Sequence, residues 1–226
     1  MSLRLRRLIA AVLSAVGLAL IVLATAPEMI PQPVQPVETP SNSSAQQALE
    51  TLEVKGRAAK TGYSRDQFGS GWATVNGCDT RNIILNRDLV NVQLDTECKV
   101  VAGTLNDPYT GKVIEYQTES SSKIQIDHVV ALSDAWQKGA QQLTREKRIQ
   151  LANDPLELIA VDGPANQEKG DSDAASWLPS NKGFRCQYVA RQIAIKQKYS
   201  LWVTTAEKSA MTGVLALCPT QTLPAR

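Results

Sequence analysis

Ile124-Gln125-Ile126-Asp127-His128-Val129-Val130 carries the only histidine of the chain. Two further stretches follow it: Leu156-Glu157-Leu158-Ile159-Ala160-Val161, then Asp162-Gly163-Pro164-Ala165-Asn166-Gln167-Glu168-Lys169. The first two are short apolar runs of strand length. In the third, Pro164 suits the first turn of a helix and Asp162 is placed to cap it. The order is therefore strand, strand, helix. In a regular strand the neighbours Asp127 and His128 face opposite sides. A site that uses both side chains needs the strand to end, bend or bulge there.

Outward from this unit, Ala45 to about Ala59 has Leu49 and Leu52 at helical spacing, with Gly56 weakening its end. Gly62, Gly69 and Gly71 make Tyr63 to Trp72 loop-like. The β-prone runs Lys99 to Leu105 and Lys112 to Tyr116 flank Asp107-Pro108-Tyr109-Thr110-Gly111, a hairpin signal. Helices are expected from about Ser133 to Gly139 and from Thr144 to Ala152. Asn181 to Tyr199 is amphipathic, with Phe184, Tyr188, Ile193 and Ile195 as core candidates. The last helix begins at Thr204, which forms a capping box with Glu207, and ends near Cys218. The class is α+β: one helix-rich domain over 46–220, with a hairpin added and helices at the C-terminal end.

Ahead of this domain, Arg4, Arg6 and Arg7 precede an uncharged apolar stretch from Leu8 to about Ala26. That layout reads as a secretory signal. The stretch also reaches the roughly 19 residues needed to span a bilayer, so residues 1–26 are a signal peptide or an N-terminal membrane anchor. Either arrangement puts the remainder outside the cytoplasm. Residues 27–45, with Pro27, Pro31, Pro33, Pro36 and Pro40, read as an extended linker. Cys78, Cys98, Cys186 and Cys218 form an even set in an exported chain and imply disulfides. Three pairings exist; Cys78–Cys98 and Cys186–Cys218 are favoured because each lies within one local segment.

The net charge of +2 includes the leader arginines. Without those three, the mature chain stands at about −1, so no global charge advertises nucleic-acid binding. Basic residues concentrate locally at Lys182, Arg185, Arg191, Lys196 and Lys198. They read either as a solvated helix face or as a phosphate-contact surface. Arg81, Arg87 and Arg191 are likewise ion-pair partners or phosphate contacts. Trp136, Trp177 and Trp202 read as core, and Asp171 and Asp173 as exposed loop acids outside the site.

Hydrolysis of a phosphodiester needs an activated water and a positive centre for the developing charge. An imidazole titrating near neutral pH can serve the first need, and only His128 can supply it. A divalent ion on hard oxygen ligands can serve the second, with Asp127 and Asn166 as ligand candidates. Here the residues carry a resemblance. Asp127-His128-Val129-Val130-Ala131-Leu132-Ser133, the second strand, and Asn166-x-x-Lys169-Gly170-Asp171 together resemble the HNH (ββα-metal) endonuclease superfamily. The wider chain resembles exported actinobacterial HNH endonuclease family proteins of the GmrSD type. Gly77-Cys78-Asp79-Thr80-Arg81, Arg87-Asp88-Leu89, the Asp107–Gly111 turn and Tyr188-Val189-Ala190-Arg191-Gln192 support the likeness over about 46–218.

The resemblance implies a ββα-metal core with His128 as general base. Asp127 is then the first metal ligand, and Asn166, on the helix, the second. Lys169, one turn along, falls where a phosphate contact is expected. The ion implied is Mg²⁺ or Mn²⁺ ahead of Zn²⁺, and the substrate is nucleic acid, DNA ahead of RNA. No protein partner is implied. One position departs: where the family carries its central Asn in the second strand, this chain has Glu157. A carboxylate there either accepts a hydrogen bond from the imidazole and raises its pKa, or adds a charge that distorts the site. Two functions therefore compete, a metal-dependent endonuclease and a catalytically impaired extracellular module that binds nucleic acid or metal. Other classes fall away. There is no His-Glu-x-x-His, Gly69-Ser70-Gly71 does not fit a nucleophile elbow, and no phosphate loop ends in Lys-Ser or Lys-Thr.

Overall fold

The computed structural model describes residues 44–224. The leader, and the linker up to residue 43, lie outside the described residues. The described elements are α1 (Ala45–Glu50), β1 (Thr74–Val75), β2 (Cys78–Asp79), α2 (Thr80–Asp88), β3 (Val90–Leu94), β4 (Val100–Asn106) and β5 (Val113–Gln117). They continue with β6 (Ile124–His128), α3 (Leu132–Gln137), α4 (Arg145–Ala152), β7 (Leu158–Asp162), α5 (Gly163–Lys169), α6 (Arg185–Lys198) and α7 (Thr205–Leu215). The fold is α+β, with three small antiparallel sheets ordered β1-β2, β3-β4-β5 and β6-β7.

The β6–β7 ribbon sits between two hydrophobic clusters. Two strands alone are marginal in water, so this one depends on cover from both faces. The period-2 alternation sends Ile124, Ile126, Leu158 and Ala160 to a cluster with Ile84, Leu85, Leu105 and Tyr116 from α2 and the three-stranded sheet. Ile159 and Val161 face the larger cluster, with Tyr109, Trp136, Tyr188 and Ile193. Register pairs Asp127 with Ile159 and His128 with Leu158, and the strand ends at His128, as a site using both side chains requires. Asp162 then caps α5 by accepting a hydrogen bond from the Ala165 amide at 2.9 Å. Only glycine fits the first position of α5: a Cβ on Gly163 would stand 2.6 Å from the Ser122 carbonyl oxygen.

The hairpin, the capping box at Thr204 and both favoured disulfides are present. Three expectations change. The first helix stops at Glu50 rather than near Ala59. Beyond it the backbone pairs instead with residue 203, through Val203 N–H to Glu53 O and Lys55 N–H to Val203 O, both at 3.0 Å. Strand β3 was not foreseen, although Val90, Val92 and Leu94 alternate; Val90 and Leu94 are exposed. The basic run on α6 is neither a solvated face nor a phosphate surface at its main members. Arg191 donates to the carbonyls of Leu156 and Pro155, and Lys196 is fully buried. Arg87 is an ion-pair partner of Asp88 at 2.6 Å and also donates to the Pro155 and Leu158 carbonyls, while Arg81 donates to the Ile124 carbonyl.

Lys196 belongs to a buried ionic cluster. Lys138 Nζ lies within 2.8 Å of Asp134 and Asp173 and 2.7 Å from Glu207. Lys196 meets Glu207 at 3.0 Å, and Arg57 reaches Asp134 and Asp173 at 2.8 and 2.7 Å. Asp173 is thus a buried network member, not an exposed loop acid. Burial alone would lower Lys138, but Asp134 and Glu207 outweigh it and hold the ammonium above its ordinary value. Removing one partner from such a cluster leaves uncompensated buried charge. Lys138→Met is therefore expected to cost about 3–5 kcal/mol, read as a drop in the urea midpoint at unchanged m-value. A loss below about 1 kcal/mol, typical of exposed pairs, would contradict this.

Candidate active site

Where β6 ends, α3 and α5 diverge, and a cavity of about 330 Å³ opens between them, lined by Gln125, Asp127, His128, Ser133, Asn166 and Asp171 among others. Three residues picked from the sequence, Asp127, His128 and Asn166, therefore share one cleft. A second, more apolar cavity of about 140 Å³ adjoins it, lined by Phe68, Gly71, Trp72, Leu132 and Ala152, and His128 and Arg65 border both.

The His128 ring is 7% exposed and lies parallel to Trp72, with centroids 5.9 Å apart and planes 8° apart. Its Nε2 is 3.0 Å from the Ala152 carbonyl oxygen. A carbonyl only accepts, so Nε2 carries the proton and Nδ1 keeps its lone pair. Burial pushes the imidazole down to about 3, against the pull of the Ala152 contact, and the ring is neutral at neutral pH. The hydrogen bond from the imidazole to Glu157 is not made. Glu157 is fully buried and its Oε2 accepts from the Val130 amide at 3.2 Å, while Oε1 has no partner among the described residues. Burial raises this carboxyl well above the usual range, and its one hydrogen bond goes to the backbone and not to the histidine.

Asp127 is also buried, at 6% exposure. Its Oδ2 accepts a hydrogen bond from Tyr109, and its Oδ1 is 3.0 Å from Lys169 Nζ. Burial pushes the carboxyl up, while Lys169 and Tyr109 oppose it. Lys169 is 1% exposed and also donates to the His128 carbonyl at 2.9 Å. The phosphate contact expected of Lys169 is thus replaced by an internal role: its ammonium holds Asp127 and the end of β6. Asn166 donates through Nδ2 to Gln125 at 2.9 Å. Its Oδ1 has no hydrogen bond among the described residues.

Sequence reasoning missed several lining or supporting residues. Tyr109 was part of a turn signal, yet a large aromatic inside Asp-Pro-Tyr-Thr-Gly is unusual cargo for an exposed turn. Its ring is fully buried against Trp177 and Tyr188. Trp72 and Arg65 lay in a segment read only as a loop. Asp171, set aside earlier, borders the cleft, accepts from Ser133 and pairs with Lys60 at 3.2 Å.

A two-stranded ribbon and helix, with Asp-His at the end of the first strand and Asn-x-x-Lys on the helix, define an HNH-type ββα unit. The family described as GmrSD restriction endonucleases, C-terminal domain, matches residues 79–214, and the chain belongs to it. A protein of Arthroderma benhamiae described as an uncharacterized secreted protein is similar as well, 43% identical over 212 residues, which are 92% of this chain and 97% of that protein.

Because burial raises Glu157 in the fold above its ordinary value of 4.5, its contribution to stability falls as pH rises above that value. Glu157→Gln keeps the acceptor for Val130 without an ionisable proton. It is expected to gain stability relative to the parent as pH rises from 4.5, measured by urea unfolding at several pH values. A variant that instead loses ground with rising pH would mean the carboxylate is ionised in the fold.

Proposed function

We propose that the protein is an extracellular, metal-dependent endonuclease that hydrolyses phosphodiester bonds of DNA. In this reading His128 is the general base, and one divalent ion, Mg²⁺ or Mn²⁺ ahead of Zn²⁺, is held by Asp127 and Asn166. The observation that carries the reading is His128, its tautomer fixed by the Ala152 carbonyl, bordering a cleft shared with those two oxygen-bearing side chains.

The residues present fit such an ion by their chemistry. Asp127, Asn166 and Gln125 offer hard oxygens, and a carboxylate has lone pairs beyond its two contacts with Tyr109 and Lys169. Among the described residues no three His, Cys, Asp or Glu side chains gather at one point, so water or substrate oxygens would have to complete the coordination. When bound, the ion supplies charge stabilisation at the phosphate and leaving oxygen. The chain's own residues do the rest. Neutral His128 takes a proton from water at Nδ1. Tyr109 and Lys169 fix the Asp127 carboxylate, and Glu157 holds the Val130 amide so that the chain leaves β6 at a set angle. The basic-apolar leader, the two disulfides and the secreted description of the relative support an extracellular place.

A second reading has its own support. The Lys169 ammonium already neutralises Asp127, which favours a binding module that holds nucleic acid and cuts nothing. Plasmid cleavage separates the two. The endonuclease reading expects nicking with Mg²⁺ or Mn²⁺, none in EDTA, and a fall of about 10² to 10⁴ in rate for His128→Ala. Equal background cleavage by the parent and that variant would end it.

The pH profile is a further check. Since burial lowers His128 below 6.5, the base stays unprotonated as the solution is acidified. The acid limb of kcat/KM is expected to lie below 6.5, and an acid limb above that value would contradict the buried neutral imidazole.

A further inference from the structure

Among the described residues that line the cleft, one cation is to spare. Lys169 is committed to Asp127 at 3.0 Å and Lys60 to Asp171 at 3.2 Å. Arg65 is exposed, makes no hydrogen bond or ion pair among the described residues, and borders both cavities. A polyanion approaching Asp127 and Asp171 therefore meets one uncompensated positive group, at the junction of the two spaces.

The smaller cavity has a different chemistry. Phe68, Trp72, Leu132 and Ala152 make it apolar, and at about 140 Å³ it is below the size of drug-sized pockets. It admits a single flat ring. Gly71 adds no side chain to it, and a Cβ there would meet nothing within 4 Å, so the space stays open. Because His128 walls both cavities, a ring seated in the small one lies next to whatever phosphate occupies the large one. Aromatic walls beside a cation are how proteins hold unpaired bases, whose faces are accessible only outside a duplex.

We propose that Arg65 and the Trp72-lined cavity form the substrate-recognition part of this site, the guanidinium holding a backbone phosphate and the cavity taking an unpaired nucleobase beside it. The proposal rests on the endonuclease reading and narrows it to strands with unpaired nucleotides. It assigns substrate contacts to a loop that lies before the residues matched to the family.

Binding, measured apart from cleavage, tests it. The full chain is titrated in EDTA against fluorescein-labelled single-stranded DNA, single-stranded RNA of the same sequence and the corresponding DNA duplex, reading anisotropy at several salt concentrations. Tighter binding of either single strand than of the duplex is expected, and the preferred one names the sugar. Arg65→Gln, at an exposed position, is expected to weaken single-strand binding about tenfold. It should also lower the log-log salt slope by about 0.7. Trp72→Ala is expected to weaken single-strand binding about tenfold with the slope unchanged. Trp72→Phe keeps a stacking face and should restore most of the affinity if the alanine variant is compromised by lost packing.

Equal or tighter duplex binding overturns the proposal. So does an Arg65→Gln protein with parental affinity and salt slope, and in that case plasmid cleavage by the parent would leave the endonuclease reading standing. Single-strand binding with the expected variant effects but no cleavage of plasmid or of either single strand in any metal upholds the recognition site and removes the nuclease. Neither binding nor cleavage removes both.

Discussion

The site is organised around one buried carboxylate. Asp127 is the penultimate residue of β6, 6% exposed on the wall of the cleft. A charge so placed persists only if its oxygens are matched by donors. Lys169 from α5 and Tyr109 from the hairpin turn are those donors. The requirement ties three separate pieces of chain to one point: the strand, the helix that follows its partner strand, and the loop between β4 and β5. The hairpin is tied in twice, since Asp107 accepts the Asp162 amide at 2.9 Å, the residue that caps α5. Neutralising Asp127 would therefore loosen all three pieces of chain.

Around this point the fold separates what must be rigid from what must be reachable. The ribbon's two faces are sealed by different clusters, and the ionic network of Lys138, Lys196, Arg57 and three carboxylates braces α3 against α6 and α7. Buried ionic clusters are weak contributors to net stability. They do demand one arrangement of the elements that carry them. That arrangement keeps the α3 side of the cleft in register with β6, while the Tyr63 to Trp72 segment, which forms the other wall, is held by Arg148 contacts to Gln67 and by packing of Phe68 on Trp136.

How much of this was legible follows from the range of each signal. Local signals read true: the Asp162 cap with Pro164, the Thr204 capping box and the hairpin turn all depend on residues a few positions apart, whereas the first strand, read as far as Val130, stops at His128. The grouping of Asp127, His128 and Asn166 was what the resemblance to the HNH superfamily implied, and all three border one cleft. What could not be read was partner choice across the fold. Lys169 has the composition of a phosphate contact, and only the coordinates show its ammonium turned inward to Asp127. Lys196 and Arg191 look like a basic face until α3, α7 and the 155–158 carbonyls fill their surroundings. Glu157 has the chain position of the family's asparagine, yet its length carries the carboxyl to the Val130 amide and past the ring. Arg65 and Trp72 lie far upstream with no periodic pattern, so nothing local marked them.

The claim beneath all of this is that Asp127 and Asn166 present oxygens to a single cation beside the His128 ring. Crystals of the full chain grown with Mn²⁺, with anomalous differences collected at the manganese edge, address it directly. The account predicts a peak within bonding distance of the Asp127 carboxylate and Asn166 Oδ1, in the cleft that His128 borders. Manganese bound elsewhere, or a cleft without a peak in protein that cuts DNA, would contradict it.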